Sequence, residues 1–170
     1  MTGAPERSEA VPYYFTYIDR IVTDDIVGFL QTQLAGAITL FDGISEEKSL
    51  HRYAPGKWSI RQVLNHVTDT ERTFLFRALW FARGFEDPLP SFEQDVAAAG
   101  AAADECSWAR HVEEFRAVRQ ASHAFFKNMP ESGWMRSGVA SGNRFTVRAI
   151  AYTVAGHYAH HASILRERYL

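Results

Sequence analysis

Three histidines stand together near the end of the chain, in Gly156-His157-Tyr158-Ala159-His160-His161. A helix turns once in about 3.6 residues, so His157 and His161, four apart, project from one face with an offset of about 40°. Two imidazoles placed this way form half of a metal site, and an ion with an open position lowers the pKa of water or captures a thiol as thiolate. His160, three residues after His157, is also within reach of it. Because His160 lies about 100° around the axis from His161, only one of these two can act with His157. Val147, Ile150, Ala151, Val154, Tyr158, Ile164 and Leu165 lay a broad apolar stripe around the pair. That stripe turns the histidines inward, where polar groups need partners.

The rest of the chain must supply those partners. With 170 residues, 46% of them hydrophobic, 22% charged and 14% aromatic, it is read as one soluble globular domain over residues 1–170. A net charge of −2 without a concentrated basic surface excludes a nucleic-acid partner. Neither a signal peptide nor an apolar run of about 18 residues is present, which excludes a membrane span. Cys106 is the single cysteine and has no intramolecular disulfide partner, so a cytoplasmic location is expected.

Periodicity and capping divide the chain into four helices. Residues 1–12, small and charged, are expected to form a mobile leader or a strap across the surface. Tyr13 and Tyr14 are read as stapling the first helix to the core. Thr23-Asp24-Asp25 supplies an N-cap and first-turn acids for a helix ending near Asp42-Gly43. Ser59-Ile60-Arg61-Gln62 is a capping box, and apolar spacing continues to about Arg83, with His66 among these positions. His66 lies early in its helix and His157 and His161 lie mid to late in theirs, so antiparallel packing brings them level. Phe85 to Glu105 is expected to be an ordered loop with at most a short helical turn, forming a rim or lid. Ser107 caps a third helix closed by Pro130, on which His111 and His123 are too far apart to share a site. Ser132 to Arg144 is a turn or small hairpin, and Thr146 caps the last helix. The fold class is all-α, an antiparallel four-helix bundle with long connections and some crossover.

Two segments together, Lys57-Trp58-Ser59 leading through His66 to Asp69 and Glu71, and the terminal His157-x-x-x-His161, resemble the DinB-like superfamily that includes the YfiT-type metal-dependent hydrolases. The resemblance runs from about Lys57 to Leu170. It implies a bundle in which His66, His157 and His161 hold a divalent metal, zinc, nickel or iron, and it favours His161 over His160. It also implies a small-molecule electrophile as substrate, hydrolysis or thiol S-transfer as the reaction, and a low-molecular-weight thiol as cosubstrate. Asp69, one turn after His66, is placed to accept an imidazole N–H and fix its tautomer, unless it is a surface carboxylate. Glu71 with Arg72 and Arg77 is alternatively a structural ion-pair network. Apolar outer positions on the second and fourth helices, with the resemblance, imply a homodimer. A metal-binding bundle without turnover is the alternative to an enzyme.

Overall fold

The computed structural model describes residues 3–170, so Met1 and Thr2 of the expected leader lie outside the described residues. Four long helices carry the architecture: α1, Ile26–Asp42; α2, Ile60–Ala82; α3, Trp108–Lys127; and α4, Val147–Ile164. Their starts follow the capping chemistry, with one exception. The Asp25 side chain accepts from the Gly28 N–H, Ser59 and Gln62 form the reciprocal box, and Thr146 accepts from Ala149. Ser107 stands at the cap of α3 but makes no cap bond; Glu46 accepts from the Trp108 N–H at 2.9 Å in its place. The last helix changes character after Ile164, and Leu165–Tyr169 is π-helical.

Around the bundle, α2 packs between α3 and α4, and α1 completes the ring against the same two helices. The cross-links give the directions. Trp108 at the start of α3 donates to the carbonyl of Phe41 at the end of α1, and Tyr169, after α4, donates to the carbonyl of Trp58, before α2. These are the antiparallel pairs. Arg61 donates to the Cys106 carbonyl and Arg83 lies over the Phe125 ring, so α2 and α3 run parallel. Tyr152 and Gln33 likewise tie α4 and α1 in parallel, through the carbonyls of Thr23 and Ala155. Consecutive helices α1 and α2 therefore sit across a diagonal, which is why the connection between them is long.

Two apolar cores fill the bundle. One gathers Ile26, Leu30, Phe74, Phe81, Phe126 and Ile150; the other gathers Phe41, Leu64, Trp108, Phe115, Tyr158 and Leu165. On each helix a polar residue falls between the two sets, Gln33, Glu71, Arg119 and His157, and His66 stands beside them among the α2 residues of the second set. The middle of the bundle is thus a buried polar layer, and that layer contains the candidate chemistry.

The smaller pieces close over one side of it. Phe15–Ile18 forms a single helical turn. Strands β1, Ser137–Ala140, and β2, Asn143–Thr146, form an antiparallel hairpin in which Ala140 pairs with Asn143. Its turn residues Ser141 and Gly142 have φ of 54° and 72°, the left-handed pair that a two-residue hairpin turn requires. The described part of the leader is a strap: Glu9, 4% exposed, accepts from Thr146 Oγ1 at 2.7 Å and pairs with Arg148. Between α2 and α3, Gln94–Ala101 makes two helical turns where a loop with one turn at most was expected. Alanine, the strongest helix former, occupies four of those eight positions, which explains the difference.

Candidate metal centre

His66 from α2 and His157 and His161 from α4 meet in the polar layer. His157 Nε2 lies 3.2 Å from His66 Nε2 and 3.2 Å from His161 Nε2. One ring nitrogen from each residue falls within a 4.8 Å group. In a tetrahedral site with Zn–N bonds of about 2.0–2.1 Å, neighbouring nitrogens stand about 3.3 Å apart, so the spacing fits three ligands of one ion. His66 and His157 are buried and His161 is partly exposed. The donor set is nitrogen only, and it can hold a divalent ion.

Each imidazole is kept neutral, the form that ligates. Burial brings His66 down to about 4; burial and the neighbouring His66 and His160 bring His161 to about 3. His157 is lowered well below the ordinary histidine value by burial, then by the three other histidines and Arg119. Unfolded histidines titrate near 6.5. Below that pH the unfolded chain binds protons that the folded chain refuses, so folding weakens as pH falls from about 6.5 toward 4 and is undiminished above. For metal-free protein we expect the urea midpoint to be lower near pH 5 than near pH 7.5, above the range where carboxylates protonate. Equal midpoints would contradict the burial of neutral imidazoles.

Two clefts that share no lining residue reach the three histidines. One, of about 180 Å³, is lined by His66 and His157 with Tyr13, Tyr14, Tyr17, Phe74, Arg77 and Phe92. The other, of about 220 Å³, is lined by His161 with Tyr53, Lys57, Trp58, Val63 and Tyr169. The Tyr17 ring stands edge-on to His157 at 5.3 Å, and its hydroxyl is 3.0 Å from that of Tyr13. Trp58 lies 5.0 Å from the His66 ring. Gly156 lets this wall approach: a Cβ there would stand 2.1 Å from the Tyr17 carbonyl oxygen.

Set against the sequence, the three proposed ligands come together and Asp69 does not join them. Its Oδ1 accepts from Arg72 at 3.0 Å, and Arg72 also pairs with Glu114 of α3 at 2.7 Å. The residue beside His66 Nδ1 is Thr70, with Oγ1 at 3.4 Å. Four residues on from His66, Thr70 shares its face, whereas Asp69 at three residues turns toward α3. Glu71 is structural, paired with Arg119 in the core, and Arg77 is separate from that pair. His160 packs against Tyr17 at 5.5 Å and stays outside the three-nitrogen group. Tyr13 and Tyr14, read as a staple, line the cleft as well, and Phe92, Glu93 and Gln94 provide the rim expected of that loop. Tyr17 and Thr70 were not singled out; the aromatic run Tyr13-Tyr14-Phe15-Thr16-Tyr17 and the helical spacing from His66 were their signals. His111 is buried on α3, its Nε2 2.8 Å from the Ala103 carbonyl and apart from the three histidines.

The sequence profile of the DinB superfamily matches residues 30–165. This chain belongs to the DinB superfamily. The match includes most of α1, which the two motif segments left to generic periodicity. No curated protein sequence matches the chain. Among solved structures it is similar to YfiT from Bacillus subtilis, a probable metal-dependent hydrolase with an unusual four-helix bundle topology. That likeness has a TM-score of 0.64 at 14% identity, over 95% of this chain and 91% of that one. It is also similar to a mycothiol-dependent maleylpyruvate isomerase, with a TM-score of 0.68 at 9% identity over 85% of this chain. The aligned region is 61% of the isomerase, so this DinB-superfamily chain spans about three-fifths of that protein's length. At such identities the likeness establishes the bundle fold. Among the described residues no helix is long and apolar enough to cross a membrane.

Proposed function

We propose that this DinB-superfamily protein is a metal-dependent enzyme acting on a small electrophile, with His66, His157 and His161 as the ligands of a zinc, nickel or iron ion. The observation that carries the reading is the convergence of three neutral imidazole nitrogens where two separate clefts arrive. Such an ion supplies Lewis acidity that makes a thiol or a water a better nucleophile near neutral pH. The protein's own residues do the remaining work. Burial keeps the imidazoles unprotonated, and Tyr17, Trp58 and the α2 and α4 backbones limit the solvent around them.

Two clefts suit two reactants better than one. The opening at His66 and His157 admits the electrophile past Tyr13, Tyr14 and Phe92, and the opening at His161 admits the second reactant past Tyr53, Lys57 and Trp58. Thiol S-transfer to a small electrophile is therefore favoured over simple hydrolysis, for which water needs no cleft of its own. YfiT, described as a probable metal-dependent hydrolase, supports the metal-dependent reading, and the isomerase, described as mycothiol-dependent, supports the use of a low-molecular-weight thiol.

The test is a thiol-consumption assay with 1-chloro-2,4-dinitrobenzene and a panel of low-molecular-weight thiols, on protein loaded separately with zinc, nickel and iron. We expect metal-dependent turnover that falls to background in His157→Ala. A protein that binds metal but never turns over any thiol or hydrolysable ester would be a binding bundle, not an enzyme.

A further inference from the structure

Arg77 has no part in the ligand set, yet it lies in the same cleft. Its residue is 5% exposed, as buried as Arg61 and close to the fully buried Arg119. Those two are neutralised by carboxylates, Glu46 and Glu71, and Arg148 by Glu9. Arg77 pairs with no carboxylate among the described residues. Its Nη2 donates to the Pro90 carbonyl at 3.2 Å and to Ser141 Oγ at 2.9 Å, both neutral acceptors. The Tyr14 hydroxyl is a third neutral hydrogen-bond partner of the guanidinium, whose carbon is 5.6 Å from the Phe74 ring centre.

A guanidinium has five N–H donors in a planar fork. Two bonds from Nη2 and the hydrogen bond with the Tyr14 hydroxyl leave part of the fork without a backbone or carboxylate acceptor. Among the described residues no fully enclosed side-chain nitrogen or oxygen lacks a partner, so any donor of this fork that Tyr14 does not take is not fully enclosed, and Arg77 lines the cleft. Two loop segments hold the arginine in place: the one carrying Pro90, and the left-handed hairpin turn at Ser141. A buried cation fixed by neutral groups, with its remaining donors toward a cleft, is arranged for an anion that the protein does not itself provide. Among the described residues the acidic side chain lining that cleft is Glu93, exposed at its rim, while the charge of Asp95 acts on His66 rather than on Arg77.

Along α2, His66, Thr70, Thr73 and Arg77 follow one another at spacings of four, three and four. Eleven residues bring the helix back to within about 20° of its starting direction, some 16 Å further along. The wall between is aromatic, from Tyr13, Tyr14, Phe74 and Phe92. We propose that Arg77 is the specificity residue of the site and binds the carboxylate of a small substrate whose planar or apolar body lies along these rings toward the three histidines. This rests on the proposed function and narrows its electrophile to a carboxylate-bearing one.

The test uses benzoate and its neutral isostere benzamide, titrated calorimetrically into the full-length parent, Arg77→Gln and Arg77→Lys, each with and without metal, and with metal content measured on every sample. The parent is expected to bind benzoate about 10-fold more tightly than benzamide, the scale of a charge-assisted hydrogen bond. That preference should vanish in Arg77→Gln and be reduced in Arg77→Lys, which keeps the charge but loses the fork, while metal content stays at the parent level. If Arg77→Gln loses its helical signal, Arg77→Lys decides. A parent without the preference, a preference that survives both substitutions, or one present only with metal would overturn the proposal, the last assigning the carboxylate to the ion. A parent that takes up no metal yet prefers benzoate through Arg77 would sink the metal reading and leave this one standing.

Discussion

Glu71→Ala is expected to destabilise the protein by about 3–5 kcal/mol, the cost of leaving one partner of a buried ion pair alone. Arg119 is 0% exposed; its Nε donates to both Glu71 oxygens, at 2.8 and 3.1 Å, and its Nη2 donates to one of them at 2.8 Å. Its Nη1 donates to Gln33 Oε1 at 2.5 Å, and Gln33 donates in turn to the Ala155 carbonyl at 3.0 Å. One continuous chain of bonds thus links α2, α3, α1 and α4 at the level of His157. Removing the carboxylate strands a guanidinium between the Phe115 and Tyr158 rings, each 5.4 Å away, where water cannot easily replace it. Glu71→Leu combined with Arg119→Met should lose less than either single change, because no charge is then left unpaired. Urea unfolding of Glu71→Ala, of the two single changes and of the double variant measures this directly. A loss under about 1 kcal/mol for Glu71→Ala would mean that the pair is solvated and the layer wet.

Gly156→Ala is the second large effect, and here helix propensity and packing disagree. Propensity alone favours alanine in a helix by about 1 kcal/mol. The new Cβ, however, would lie 2.1 Å from the Tyr17 carbonyl oxygen and 2.5 Å from its carbon, and backbone cannot rotate aside as a side chain can. The turn Phe15–Ile18 has to move off α4, taking Tyr17 away from His157. We expect a net loss of about 1–3 kcal/mol in urea unfolding, together with greater solvent access to the three histidines. Gly36→Ala is the control, since nothing lies within 4 Å of a Cβ there, and it should be neutral or stabilising. Equal behaviour of the two variants would show that the amino-terminal segment does not hold this position.

Both effects concern contacts that no local pattern announces, and this marks what could be read from the chain. The helices were legible because caps and 3.6-residue periodicity are local: Ser59 and Gln62 make the box their spacing implies, and Thr146 caps α4. The ligands were legible because His157 and His161 share a helical face and His66 fits a family motif. Asp69 was misplaced because α2 has neighbours on two sides, and a step of three or four residues decides which neighbour a side chain meets. Glu71 and Arg119 are 48 positions apart, and only the parallel packing of α2 on α3 joins them. Loop length alone does not distinguish a diagonal connection from an adjacent one, so the two parallel helix pairs had no signature in the chain. Tyr17 depended on Gly156, whose lack of a side chain becomes informative only once the Phe15–Ile18 turn is seen crossing it.

The central claim is that three imidazoles of this bundle bind one divalent ion. Its most direct measurement is elemental analysis of untagged protein purified without chelator, beside His66→Ala, His157→Ala and His161→Ala, with circular dichroism on each. The account predicts about one equivalent of metal in the parent, lost in every variant while the helical signal persists. A parent that holds no metal and cannot be loaded with zinc, nickel or iron would contradict it, and the three histidines would then be a neutral hydrogen-bonded cluster of the polar layer.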